Sequence, residues 1–267
     1  MGKHDSRAQG AFPVLTSPPA DHTIAQAIAH DELRLFYQPI VRATDGAVVA
    51  VEALVRWQHP TLGLLTPDRF LHKADRDGQL PLLDRWVLHR ACQDLADLGP
   101  AAPDHVNVNL SAPTLATDFT EPVTTALERT GLAAHRLRLE LSECADLNTL
   151  THAEKHLKGL VERGVGVALD DMGTGSTDLR CLSRLAVHGI KIDKEFVSGM
   201  LTNPRDHAIV KLLTEMAHGL RLHVTAEGVE TAEQLAALTR LGVCYVQGYH
   251  LAPPLTLAEL TSTILTA

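Results

Sequence analysis

The chain has 267 residues, of which 45% are hydrophobic and 21% are charged, and its formal net charge is −8. This balance predicts a folded protein with a buried core and excludes a chain that is disordered throughout. The negative charge and the lack of a basic run argue against binding to polymeric nucleic acid.

The first 22 residues are predicted to form a flexible tail or linker, and residues 23–267 one folded domain. The opening lacks the continuous hydrophobic segment of a secretory signal. No apolar run approaches the roughly 18 residues that a membrane-spanning helix needs. The four cysteines stand far apart without a CxxC pair, which argues against a zinc site or a disulfide framework and favours a reducing cytoplasm.

After the tail, short apolar or β-branched runs alternate with longer segments of helical spacing. The candidate strands are residues 33–41, 47–57, 105–111, 136–143, 165–172, 188–197, 221–230 and 244–251. The clearest candidate helices are residues 80–99, 151–164, 204–220 and 231–242. Eight strands in a chain of this length indicate an α/β fold, a (β/α)8 barrel, which typically uses about 250 residues.

The connection between the first two candidate strands departs from this alternation. Only the segment RATDG, residues 42–46, separates them. It is too short for the helical crossover that joins parallel strands. We therefore predict a modified TIM (β/α)8 barrel in which the first strand runs antiparallel to the second.

Polar residues recur near the ends of the later strands. They are Glu52, Asn109, Glu140, Asp170, Asp171, Lys191, Glu227 and Gln247. In a barrel the C-terminal ends of the parallel strands converge on one mouth, and the oxygen atoms of Asp, Glu and Asn suit Mg²⁺ or Mn²⁺. Taken singly, each residue could instead be a buried hydrogen-bonding group, and the adjacent aspartates a solvated turn.

An ordered series of motifs adds a family resemblance. The segment EALVRW, Glu52 to Trp57, resembles the signature of the EAL domain, the cyclic di-GMP phosphodiesterase family. The resemblance begins at FYQPI and continues through VNLS, LELSE, LDDMGTG, KID, AEGVE and VQGYHLAPP, covering roughly residues 24–260. An ordered series across the chain is far more specific than a three-letter match alone.

The resemblance implies a metal centre with two divalent cations, Mg²⁺ or Mn²⁺. Residues that match the family's first metal site are Glu52, Asn109, Glu140 and Asp170. Asp170 and Asp171 match the pair that holds the second cation, with Asp170 bridging. Glu227 matches a glutamate that either orients metal-bound water or coordinates metal, and both readings stay open.

The resemblance also assigns catalytic and substrate-binding positions. Glu52, Lys191 and Glu227 are the implied catalytic residues. Lys191 matches the lysine beside the attacking water, and whether it acts as a formal base is left open.

Gln38, Arg56 and Gln247 match positions that family members use around the dinucleotide. Arg56 could instead pair with a surface carboxylate, and the two glutamines could cap strand ends.

The implied reaction is hydrolysis of cyclic di-GMP to linear pGpG by a homodimer. Glu143 resembles the glutamate that anchors the loop after the paired aspartates. That loop departs from the family, because Met172 and Ser176 replace two aromatic residues and Thr177 and Asp178 replace two serines.

The departure leaves two functions open. The first is an active phosphodiesterase whose second cation is held more weakly. The second is a catalytically silent cyclic di-GMP receptor that signals through the altered loop, residues 170–179. A metal-dependent barrel enzyme of another family is a more distant alternative.

Overall fold

A computed structural model describes residues 18, 22–99, 102–141, 147–173 and 180–266. Its strands are β1 (Leu33–Arg42), β2 (Val48–His59), β3 (Gly63–Leu65), β4 (His105–Leu110), β5 (Leu137–Leu141), β6 (Gly166–Met172), β7 (Gly189–Ile192), β8 (His223–Ala226) and β9 (Tyr245–Val246). Its α-helices are α1 (Ile24–Ala29), α2 (Leu71–Arg76), α3 (Leu80–Asp97), α4 (Ala112–Leu115), α5 (Thr120–Thr130), α6 (Leu147–Glu162), α7 (Arg180–Arg184), α8 (Lys194–Gly199), α9 (Pro204–Gly219), α10 (Ala232–Leu241) and α11 (Leu257–Thr266). Two short 3-10 helices cover Pro67–Arg69 and Ala134–Arg136.

The sheet closes on itself into a mixed barrel. Strands β2, β4, β5, β6, β7, β8 and β9 pair in parallel in that order, while β1 pairs antiparallel with both β2 and β9. Strand β3 is an addition, because it pairs antiparallel with the outer end of β2 and lies outside the barrel. The predicted modified barrel is confirmed.

The short hairpin between β1 and β2 follows from its local chemistry. The Asp45 carboxylate accepts hydrogen bonds from the Ala47 backbone N–H at 3.0 Å and from the Arg42 guanidinium at 2.6 Å. Gly46 adopts φ +73°, a left-handed conformation that glycine enters without steric cost. This tight turn makes the two strands antiparallel.

Side-chain alternation divides the strands into an outer apolar face and an inner polar face. Val106 and Val108 of β4 are fully buried in the core that lies between the barrel and the helices. Asn107, between them, points the other way and bonds to Glu140 of β5 inside the barrel. A fully buried Val or Leu contributes about 1.5–3 kcal/mol, and the larger apolar core surrounds the barrel. The interior holds polar residues together with a small apolar cluster that includes Ile40 and Ala50.

Helix α10 shows how the sequence fixes the surrounding helices. Thr231 accepts a hydrogen bond from the Gln234 N–H, and the Gln234 side chain accepts one from the Thr231 N–H, which forms a capping box. Gly242 ends the helix at φ +86°. The helix predicted for residues 231–242 is therefore confirmed.

The last three predicted strands are too long. The strand predicted for residues 188–197 ends at Ile192, because the Asp193 carboxylate accepts a hydrogen bond from the Glu195 N–H at 2.6 Å and starts α8. The strands predicted for residues 221–230 and 244–251 shorten to His223–Ala226 and Tyr245–Val246. At Asp193, the helix cap therefore ends the strand before the predicted position.

Most of the predicted tail, residues 1–17 and 19–21, lies outside the described residues. Within the described ranges, no helix is both long enough and apolar enough to cross a membrane.

Candidate active site

Four carboxylates meet inside the C-terminal mouth of the barrel, around one lysine. The Lys191 Nζ lies 3.1 Å from Glu52, 3.0 Å from Glu140, 3.3 Å from Asp170 and 2.5 Å from Glu227. These residues come from β2, β5, β6, β7 and the segment directly after β8. They converge because the C-terminal ends of parallel strands open on the same mouth.

Lys191 is the positive centre of this cluster, and it is only 1% exposed. Burial alone would lower the pKa of Lys191, but the carboxylates around it raise the pKa well above its ordinary value. The side chain is therefore protonated at neutral pH. It acts as a fixed positive charge and a hydrogen-bond donor.

The carboxylates differ in their charge balance. Burial works against the charged form of Glu52, but Lys191 and the amide donors of Gln247 and Asn109 hold its pKa below the ordinary value. Burial raises the pKa of Glu140 well above the ordinary value, and the neighbouring carboxylates raise it further. Lys191 thus cannot compensate every acid that surrounds it.

Two asparagines on β4 orient the glutamates. The Asn109 amide donates to Glu52 Oε1 at 2.8 Å, and the Asn107 amide donates to Glu140 Oε1 at 2.6 Å. The carbonyl oxygen of Asn107 is buried without a hydrogen-bond partner among the described residues. Asn107 was missed in the sequence, although it stands two positions before Asn109 and so faces the same side of the strand.

The paired aspartates occupy a sharp turn at the end of β6. Asp171 adopts φ +52°, and its N–H donates to Asp170 Oδ1 at 2.9 Å. This left-handed residue breaks the strand alternation that would send two adjacent carboxylates to opposite faces. Burial, together with Asp170 and Asp193, raises the pKa of Asp171 to about 6.

Glu227 completes the acidic cluster. Burial raises the pKa of Glu227 to about 8. Lys191 lowers this pKa, whereas the negative charges of Asp170 and Glu52 raise it. A pKa near neutrality means that protons compete with any cation for this carboxylate.

The donor set fits divalent cations. Glu52, Glu140 and Asp170 each place an oxygen within 4.8 Å of the others, and Asp170, Asp171 and Glu227 do the same. Five acids with a single buried lysine leave a surplus of negative charge, and hard carboxylate oxygens prefer Mg²⁺ or Mn²⁺. Asp170 belongs to both groups.

A cavity of about 340 Å³ opens above the acidic cluster. Its walls include Gln38, Gln247, Lys194, Glu230 and Tyr249. Gln247 donates to Glu52 at 2.8 Å and to Gln38 at 3.0 Å, which joins both predicted substrate-binding glutamines to the site. A larger groove of about 740 Å³ lies elsewhere, between α3 and α5, and none of the clustered acids lines it.

Arg56 lies outside the walls of the site cavity. Its guanidinium sits 5.6 Å from the centre of the Phe36 ring and donates to the Val55 carbonyl oxygen at 2.9 Å. Lys194 and Tyr249, in contrast, line the cavity, although neither was predicted to be a site residue. Their positions, directly after the KID and VQG segments, were the available signal.

Comparison with known proteins places this geometry in a family. Residues 21–254 match the family model described as "EAL domain". The chain belongs to the EAL domain family. It is 43% identical over 243 residues to the Pseudomonas aeruginosa protein named cyclic di-GMP phosphodiesterase NbdA, covering 90% of this chain and 31% of that protein.

Further EAL domain relatives agree. The P. aeruginosa bifunctional diguanylate cyclase/cyclic di-GMP phosphodiesterase MucR is 37% identical, with 91% of this chain and 36% of MucR covered. The solved MucR phosphodiesterase in complex with c-di-GMP has a TM-score of 0.83 at 37% identity, covering 89% of this chain and 97% of that one. The P. aeruginosa FimX EAL domain bound to c-di-GMP has a TM-score of 0.79 at 28% identity, covering 88% and 95%. The chain spans about a third of the length of the two curated relatives.

Part of the loop that distinguishes this EAL domain lies outside the described residues. These loop residues include Ser176, Thr177 and Asp178. The predicted anchor Glu143, which lies on another segment, is also outside the described residues. Met172 is described, and it is 1% exposed within the core. The aromatic ring of Phe196, from α8, lies against Gly173. The expected loosening of the second cation site stays a prediction.

Proposed function

We propose that this EAL domain hydrolyses one phosphodiester bond of cyclic di-GMP to give linear pGpG, with two divalent cations. The observation that carries the proposal is the convergence of five carboxylates and Lys191 beneath a cavity walled by Gln38 and Gln247. The names of the NbdA and MucR relatives support the choice of substrate.

The cations, Mg²⁺ or Mn²⁺, would be held by residues already in place. Glu52, Asn109, Glu140 and Asp170 would hold the first, and Asp170 and Asp171 the second. When bound, the cations supply positive charge that acidifies water and stabilises a phosphoryl group during displacement. Asn109 would contribute its amide oxygen, and Glu227 is near enough to Asp170 and Asp171 to assist.

The chain's own side chains have separate tasks. Lys191 keeps the carboxylates together and places a positive charge beside the phosphate that enters the cavity. Lys191 donates hydrogen bonds to Glu52 and Glu140 in this arrangement. Gln247 fixes the orientation of Glu52 while Gln38 lies beside it at the cavity wall.

Substrate binding uses the upper part of the cavity. Lys194 offers a second positive charge to an anionic dinucleotide, and Tyr249, which is 70% exposed, offers a ring for stacking on a base. Arg56 stands further out and is proposed to assist capture of substrate electrostatically.

We also propose that the domain acts as a homodimer in the cytoplasm. The family resemblance supports the dimer, and the thiols of Cys92 and Cys244, which form no disulfide, suit a reducing compartment. Light scattering after size-exclusion chromatography tests the dimer, and a monomer at every concentration would contradict it.

The function is tested by incubating the protein with cyclic di-GMP and Mg²⁺ or Mn²⁺ and separating the products by chromatography. We expect pGpG to form, to disappear after chelation, and to form poorly with Ca²⁺, whose coordination is longer and looser. The variants Glu52→Gln and Asp170→Asn should lose most turnover, whereas the exposed-site control Glu233→Gln should keep it. Binding of cyclic di-GMP without any pGpG would instead support the receptor function.

A further inference from the structure

A second polar cluster lies at the opposite, N-terminal mouth of the barrel. His105 begins β4, Arg138 is the second residue of β5, His223 begins β8 and Tyr245 begins β9. His105, Arg138 and Tyr245 each precede by two positions a residue of the inner polar face, namely Asn107, Glu140 and Gln247. Strand alternation therefore directs these three side chains into the barrel. The His223 ring lies 5.6 Å from the Tyr245 ring, which places it in the same layer.

Two glycines leave room for this layer. A Cβ on Gly166 of β6 would lie 3.2 Å from Arg138 Nε, so the arginine side chain crosses directly over that strand. A Cβ on Gly189 of β7 would lie 3.1 Å from the His223 carbonyl oxygen. Because Gly166 and Gly189 have no side chains, Arg138 and His223 occupy space that larger residues at those two positions would fill.

His188 stands at the rim of the same mouth. Its Nδ1 accepts a hydrogen bond from the Val167 N–H at 3.1 Å, so a neutral His188 carries its proton on Nε2. His188 and His223 are both exposed, whereas Arg138 and His105 are partly buried behind them.

Arg138 contacts no acid in the described part of the chain, although the charge of Glu140 acts on it from a distance. It forms no salt bridge there, and its Nε is buried without a hydrogen-bond partner. The Nε2 of His105 is buried in the same way. Buried nitrogen atoms that lack a hydrogen-bond partner are costly, so this layer of donors favours a bound anion.

A metal ion is not the occupant that this cluster favours. Among the described residues, the three histidines do not form a group whose ring nitrogens lie close enough to share one ion. The adjacent positive charge of Arg138 also repels cations and attracts anions.

We propose that the N-terminal mouth of the barrel binds a small oxyanion of the phosphate class through Arg138, His105 and His223, with His188 at the entrance. The guanidinium supplies the charge and the neutral imidazoles supply N–H donors. The anion could come from free inorganic phosphate or from the phosphate of a small phosphomonoester. This site is separate from the acidic cluster, because it occupies the other end of the barrel and needs neither metal nor cyclic di-GMP.

The test is an NMR titration of ¹⁵N-labelled protein with sodium phosphate at constant ionic strength and in EDTA. We expect saturable shifts of the Arg138 Nε–H and of the His105 and His223 ring signals. A parallel titration with guanosine 5′-monophosphate distinguishes the sources. A stronger response to phosphate assigns the site to the free ion, and a stronger response to the nucleotide assigns it to a phosphomonoester.

Variants separate a built site from general attraction to positive charge. Arg138→Gln should weaken phosphate binding by about tenfold or more, as expected for the loss of a charge-assisted hydrogen bond, while Arg138→Lys should retain part of it. His223→Gln, at an exposed position that folding tolerates, should weaken binding several-fold. The control Arg240→Gln removes an equal charge from the exposed face of α10 and should leave binding unchanged.

Three results would overturn the proposal. The first is a response to phosphate that never saturates or spreads over exposed basic residues. The second is unchanged binding in folded Arg138→Gln and His223→Gln. The third is no response to either anion, in which case Arg138 only balances the carboxylates above it.

Discussion

Lys191 carries the charge balance of the acidic cluster on a single side chain. We expect Lys191→Met to lower the free energy of unfolding by about 3–5 kcal/mol in EDTA, because it leaves buried carboxylates without their ion-pair partner. Adding Mg²⁺ or Mn²⁺ should recover more stability in this variant than in the wild type. Chemical unfolding at several cation concentrations measures both effects.

The matched control for this experiment is Lys211→Met. Lys211 lies 3.8 Å from Glu215 on the exposed side of α9, so its loss should change stability by less than about 1 kcal/mol. Equal cation responses in wild type and Lys191→Met would contradict the idea that Lys191 and the cations balance the same carboxylates. No response in either protein would contradict cation binding at the cluster.

His105 makes the stability of the fold depend on pH. Burial, with Arg138 and His223, lowers its pKa to about 3, so the unfolded chain takes up a proton near pH 6.5 that the folded chain refuses. Its contribution is complete above pH 6.5 and is lost as pH falls toward 3. Between pH 7 and pH 5 the loss should be on the order of 2 kcal/mol.

The measurement compares wild type with His105→Asn by urea unfolding in chloride buffers at several pH values. Asparagine cannot titrate, so the variant should lose less stability on acidification. Parallel pH curves for the two proteins would show that His105 is not the responsible group.

At the scale of elements, the junction of β6 and α8 controls the geometry of the paired aspartates. Gly173 has φ +106°, and an added Cβ would lie 2.5 Å from Phe196 Cε2. We expect Gly173→Ala to destabilise the fold by about 1–3 kcal/mol and to raise the cation concentration needed for half-maximal activity. Unfolding curves and cation titrations of activity measure the two effects.

Gly159→Ala is the contrasting substitution. Gly159 lies inside α6 with ordinary φ and nothing within 4 Å of an added Cβ, so alanine should stabilise the protein by roughly 0.5–1 kcal/mol. If Gly173→Ala proved equally benign, Phe196 would not be restraining the turn. Combining Gly173→Ala with Phe196→Leu should recover part of the loss.

Much of this element-level arrangement could be predicted from the sequence. The RATDG connection indicated an antiparallel first pair, and the polar strand ends indicated one acidic mouth. Strand ends were less predictable, because the cap at Asp193 starts a helix within the segment that was predicted as strand through Val197. Asn107 was missed because its partner Glu140 lies on another strand, distant in sequence. Lys194 was missed because its place at the cavity wall depends on how α8 packs against the barrel.

For the whole molecule, we expect the folded unit to begin at Thr23. Thr23 caps α1, the Ile24 N–H donates to Gln79 at 2.7 Å, and Ile24 and Ala27 are buried. A chain that starts at His22 should keep the melting temperature of the full chain. A chain that starts at Asp31 should lose about 2–4 kcal/mol, because it exposes the surface that α1 covers.

Thermal unfolding of the two shortened proteins provides the measurement. A large loss of stability in the protein that starts at His22 would mean that the preceding residues belong to the folded domain.

The closure of the barrel has a consequence for how the protein folds. Strands β1 and β9 join through only two residue pairs, Val41 with Val246 and Arg42 with Tyr245, and these partners are distant in sequence. Such a contact has high contact order and a large loop-closure entropy, so we expect it to form late in folding. Gln247 follows this seam directly and bonds to both Gln38 and Glu52. Catalytic competence should therefore appear only in the final kinetic phase of refolding, after most helical structure has already formed.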